Sequence, residues 1–155
     1  MADGRGVGVG DLDGDGRLDL VVANNNAPPS IYVNRLPPAG WVRLELLGRR
    51  SNRDAVGARV RLTIAGRTMT RWVEAGSGYA AQSAFPLHFG LGAARRLERL
   101  EIAWPSGLVE GLEGDALAAR LSLGRAWRLE EGSLTPRDRR LAAVPASPAA
   151  GGGGH

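Results

Sequence analysis

Apolar side chains recur at every second position through much of the chain, a period that marks strands with one buried face. Val42, Leu44 and Leu46 alternate with Arg43 and Glu45, and Val60, Leu62 and Ile64 alternate with Arg61 and Thr63. Leu100, Ile102 and Trp104 repeat the pattern. Thr68 to Glu74 returns after the Ala65-Gly66-Arg67 turn as the second arm of a hairpin. Leu87-His88-Phe89 reads as a short strand closed by Gly90-Leu91-Gly92, and Ala126 to Glu130 as a last strand. Asp115 to Leu121 is the one stretch where propensity favours a short helix. Near the amino end, Val7 and Val9 sit between glycines, Leu18 to Ala23 is partly alternating, and Ile31 to Asn34 is a further short strand. Many short strands joined by glycine turns predict an all-β protein with a β-sandwich or open-barrel domain. Nine prolines and 23 glycines weigh against long helices.

The pattern breaks twice. Leu36-Pro37-Pro38-Ala39-Gly40 reads as a linker, so residues 1–35 form one unit and 36–132 a second whose first strand starts at Trp41. From residue 133 the alternation fails, and Ala142 to Gly154 holds little but Ala, Pro, Ser and Gly. Such a segment buries too little apolar surface to offset its ordering entropy, so residues 133–155 are expected to be a disordered tail.

The chemistry concentrates in Asp11-Leu12-Asp13-Gly14-Asp15-Gly16-Arg17-Leu18-Asp19. Carboxylates this close repel one another unless a cation sits among them. A hard dication such as Ca²⁺ takes six to eight oxygens, which short Asp side chains on a tight loop supply. Asp11, Asp13 and Asp15 fall at loop positions 1, 3 and 5, the Arg17 backbone carbonyl at 7 and the Asp19 side chain at 9. Gly16 at position 6 permits the sharp turn. A helical calcium hand is disfavoured, because its bidentate Glu at position 12 is here Val22. The flanks predict two strands instead, so the metal would staple a β-hairpin. A solvated acidic turn is the competing reading.

These residues carry a resemblance. Val9 to Asn24 resembles one FG-GAP (VCBS-type) repeat, which implies one partial blade of a β-propeller. Four further stretches follow in order: Asn52-Arg53-Asp54-Ala55-Val56-Gly57-Ala58-Arg59-Val60; Gly76-Ser77-Gly78-Tyr79 with Gln82; Leu87 to Gly92; and Trp104-Pro105-Ser106-Gly107. Together they resemble the ASPIC/UnbV domain that follows FG-GAP propellers in proteins of the cartilage acidic type. The Ala-Asn-Gln-like stretch expected near that domain's end is Ala118-Ala119-Arg120-Leu121 here. The resemblance implies secretion and calcium binding but no agreed activity. It also implies that the chain is the C-terminal piece of a longer secreted protein whose export signal lies upstream. Upstream blades would then be partners within the same protein.

Composition changes this picture little. Cysteine is absent, so metal and packing replace disulfides. No apolar run is long enough to span a bilayer, and the first residues hold no signal peptide. The net charge of +4 suggests an anionic partner, but all 20 basic residues are Arg, which is more simply a codon bias. Catalytic constellations are weak. Ser77 lacks a nucleophile elbow. A zinc site of the usual ligands has nothing to build on. Asp54, Glu74 and Glu98 form a carboxylate pair only if the fold brings them together. His88 should point away from the side chains of Leu87 and Phe89, as a structural residue or, with Tyr79 and Gln82, as part of an exposed recognition patch. The favoured reading is a calcium-binding, non-catalytic extracellular adhesion-type module that binds protein or glycan. An accessory enzyme of secondary metabolism, suggested by the UnbV likeness, comes second. Nucleic-acid binding through arginines comes third.

Overall fold

The computed structural model describes residues 3–76 and 86–134, with the backbone of Arg137–Asp138. Tyr79 and Gln82 lie outside the described residues, as does most of the 133–155 tail.

Eleven strands fall into three sheets among the described residues. The first sheet takes β1 (Asp3–Gly10), β2 (Asp19–Asn25) and β3 (Ser30–Tyr32), all antiparallel in that order. The acidic loop joins β1 to β2, with Gly10 opposite Asp19 at its base. This is the hairpin that the flanking β-branched residues predict.

The other two sheets each have four strands. One runs β11 (Arg137–Asp138), β10 (Arg125–Glu130), β4 (Gly40–Leu47), β7 (Leu87–Gly92). The other runs β6 (Arg67–Trp72), β5 (Arg59–Ile64), β8 (Arg99–Ala103), β9 (Val109–Glu113). A five-residue helix, α1 (Gly114–Ala118), follows β9 and buries Leu117. Alternation decides which side of each strand faces in. Val42, Leu44, Leu46, Leu87 and Phe89 of one sheet join Val60, Leu62, Ile64, Leu100 and Ile102 of the other in one hydrophobic cluster. Neither sheet closes on itself, and the two share one hydrophobic cluster, as expected of a β-sandwich or open barrel.

The β5–β6 hairpin turns on Ala65 and Gly66, both at positive φ (47° and 69°), as two-residue hairpins of right-handed twist require. β10 runs parallel to β4 from Arg125–Val42 to Glu130–Leu47, a pairing between segments about half the chain apart. Order continues past Ser133: Leu134 is 5% exposed within the core cluster, and Arg137–Asp138 pair with β10.

The outward row of the β4–β7 sheet positions the site. Trp41 and Arg43 point away from the core that Val42 and Leu44 enter, and His88 stands opposite Arg43 across the ladder. The hairpin loop of the first sheet rests on this row.

Candidate metal centre

The loop brings Asp11, Asp13 and Asp15 together, with one carboxylate oxygen from each within 4.8 Å of the others. Two oxygens on opposite sides of one Ca²⁺, each about 2.4 Å away, are separated by about that distance, so the three fit around a single ion. Loop geometry follows from short side chains bonding to nearby backbone. Asp11 accepts from the amides of Gly14 at 2.8 Å and Gly16 at 3.1 Å, Asp13 from Asp15 at 3.3 Å, and Asp15 from Arg17 at 2.8 Å.

Two arginines partly offset this charge. The Arg17 guanidinium contacts Asp15 and also donates to the carbonyls of Asn34 at 2.9 Å and Leu36 at 3.3 Å. Arg43 donates to Asp11 at 3.3 Å, and the Asp11 side chain is fully buried. Asp13 has no cationic partner among the described residues. Three carboxylates against two guanidiniums leave a net negative site, which suits a cation.

Asp19 takes a different position. It is 1% exposed, with one oxygen accepting from Leu12 at 2.9 Å and the other from Asn34 at 2.8 Å. It therefore ties the loop base to the segment after β3. The converged trio is Asp11, Asp13 and Asp15.

Gly16 has two reasons to be glycine. Its φ is +86°, and a Cβ there would fall 1.8 Å from the Trp41 Nε1. The sequence supplied only the first. Trp41 in turn stacks on His88, with ring centroids 5.9 Å apart and planes 17° from parallel, while the Arg43 guanidinium lies 6.0 Å from the Trp41 ring centre. Burial lowers the His88 pKa below its ordinary value; Arg43 and Arg71 push the same way, with Asp11 opposing them. The His88 Nδ1 is buried with no hydrogen-bond partner among the described residues. Of the three residues of the sequence-derived recognition patch, only His88 can be placed, and it packs against Trp41. Glu98, a candidate for a carboxylate pair, instead accepts from the Gly66 amide at the β5–β6 turn, at 3.2 Å to each oxygen.

The motif residues of the second unit converge on carboxylates that the sequence did not single out. Glu131 is 5% exposed and accepts from the amides of Arg49 and Arg50 at 2.7 Å and Ser51 at 2.8 Å. The Ser51 hydroxyl donates to it at 2.9 Å, and the Ser106 hydroxyl also donates to it. Burial alone would raise its pKa, but these hydrogen bonds outweigh that and lower it to about 2. The Trp104 indole donates to Glu110 at 2.6 Å, and Glu110 also accepts from the Gly132 amide at 3.0 Å. The Asn52 side chain bonds the Val56 amide and carbonyl at 2.8 and 2.9 Å. Gly57 and Gly92 have positive φ (94° and 59°), whereas Gly90 has neither a positive φ nor a close neighbour. No helix among the described residues is long and apolar enough to cross a membrane.

The ASPIC and UnbV family model matches residues 48–130, and the FG-GAP repeat model matches residues 4–35. Cartilage acidic protein 1 of Xenopus tropicalis is 34% identical over 114 residues, which is 69% of this chain and 17% of that protein. The proteins of the same name from Mus musculus and Homo sapiens are each 35% identical over 112 residues, or 68% of this chain and 17% of theirs. The matched stretch is thus a small part of those relatives' length. With an FG-GAP repeat preceding its matched domain, the chain belongs to the ASPIC and UnbV family.

Proposed function

We propose that the chain is a calcium-stapled, non-catalytic interaction module of an extracellular protein. The observation that carries this is the convergence of Asp11, Asp13 and Asp15 within 4.8 Å on a loop of an FG-GAP repeat. Calcium would supply the positive charge that lets the three carboxylates share one loop. Asp11, Asp13 and Asp15 hold it, with the Arg17 backbone carbonyl adding a ligand by loop position, while Asp19 braces the loop through Leu12 and Asn34. Arg43 bonds Asp11, so the same loop is fixed to β4.

The first sheet supports a partner role. Register puts Val7, Val9, Leu20, Val22 and Tyr32 on one face, where Val7, Leu20 and Tyr32 are 52%, 42% and 59% exposed. A three-stranded sheet with that much open apolar surface is suited to stacking on other blades of the same protein. The complete protein would be secreted or displayed at the cell surface, with an extracellular protein or glycan as its ligand. The deciding experiment is calorimetric titration of the chain with calcium chloride, beside the Asp13→Ala, Asp15→Ala double variant. One saturable site in the first and none in the second is the expected result. No uptake by the unaltered chain rejects the reading.

A further inference from the structure

Beside the acidic loop lies a recess of about 340 Å³, within the range of small-molecule sites. Three parts of the chain build its walls. The linker gives Leu36, Pro37 and Ala39, the loop gives Gly16 and Arg17, and the outward row of the β4–β7 sheet gives Trp41 and His88. Arg71 of β6 closes a further side.

The walls are mostly apolar, and the near-parallel stack of Trp41 on His88 makes one of them flat. Their charge is one-sided, since no Asp or Glu is among the described residues that line the recess. The two arginines differ in what remains to them. Arg17 is spent on Asp15 and on the carbonyls of Asn34 and Leu36. Arg71 donates to the Thr70 carbonyl at 3.1 Å and lies 5.7 Å from the Phe89 ring centre, and no carboxylate pairs with it among the described residues. A guanidinium with no carboxylate partner among the described residues, beside a mostly apolar wall, is a site for an anion with an apolar planar body, because Arg presents a fork that matches a carboxylate.

We propose that this recess binds a small planar carboxylate, with Arg71 pairing its charge and Trp41 and the Leu36–Ala39 segment covering its ring. The proposal goes beyond the interaction-module reading and does not rest on calcium binding.

The test is isothermal titration of the chain with 2-naphthoate and with its neutral amide, 2-naphthamide. Excess calcium chloride is present throughout, so the state of the loop is the same in every arm. The expected result is saturable binding of the acid, with about tenfold weaker binding of the amide and a similar loss in Arg71→Gln, as for one charge-assisted hydrogen bond. Ala39→Trp, which fills the recess from the linker side, should abolish acid binding while leaving the circular dichroism spectrum unchanged. Absence of saturable acid binding overturns the proposal. So does equal affinity for acid and amide, unchanged affinity in Arg71→Gln, or binding that survives Ala39→Trp.

Discussion

Arg43 reaches across 32 residues of sequence to donate to Asp11 at 3.3 Å, joining β4 to the first carboxylate of the acidic loop. The Asp11 side chain is fully buried and that of Arg43 is 12% exposed, so water screens the pair little. Removing Arg43 leaves a buried carboxylate without its cation, a loss on the order of 1–3 kcal/mol. In urea unfolding with EDTA present, Arg43→Gln is expected to lower the midpoint clearly. In excess calcium the loss should shrink, because the ion would offset the Asp11 charge. Equal losses in both conditions would separate the pair from the metal.

The contact of Gly16 with Trp41 gives a cleaner comparison. Gly14 and Gly16 both have positive φ, +79° and +86°, but a Cβ on Gly14 meets nothing within 4 Å. Gly14→Ala should therefore cost only its backbone strain, about 1–2 kcal/mol. Gly16→Ala carries the same strain and must also displace the indole, so its loss should be larger by at least about 1 kcal/mol. Equal urea midpoints for the two variants would show that the indole moves aside without cost.

Calcium should stabilise the fold by linkage. At a hundredfold excess over the dissociation constant, a single native-state site contributes about 2.7 kcal/mol. For a chain of this size that corresponds to a rise of several degrees in Tm. The rise should vanish in the Asp13→Ala, Asp15→Ala double variant and reverse on adding EDTA to the unaltered chain. Differential scanning calorimetry reads both.

Glu131 sets an expectation for acid. Its folded pKa of about 2 lies below the 4.5 of an ordinary Glu, so the folded state favours the ionised form. The stability it contributes is fully present above about pH 4.5 and is lost as pH falls from there toward 2. Glu131→Gln should lower stability at neutral pH and flatten the acid limb of the stability profile in that window. Ser106→Ala removes the hydroxyl that donates to this carboxylate, so it should shift that limb upward in pH. Urea unfolding between pH 2 and 6 is the measurement, and an acid limb identical in all three proteins would contradict it.

Some of this protein is local enough to read from the chain. The strands follow from alternation at Val42–Leu46, Val60–Ile64 and Leu100–Trp104, since a period of two fixes which side chains enter the core. The acidic loop follows from its spacing, because Asp11, Asp13 and Asp15 reach a common point through bonds to the loop's own amides. The hairpin at Ala65-Gly66 is equally local. Tertiary structure decided the rest. Sequence spacing gives no sign that Glu131 will find the Arg49–Ser51 amides about 80 residues away, nor that β10 will lie parallel to β4. It equally conceals that Trp41 will settle on Gly16, that Arg43 will meet Asp11, or that Asp19 will be committed to Leu12 and Asn34. The physical reason is range. Strand period and turn chemistry act over a few residues, whereas a charge pair or a seated ring depends on how two sheets and a loop pack, which no single stretch encodes.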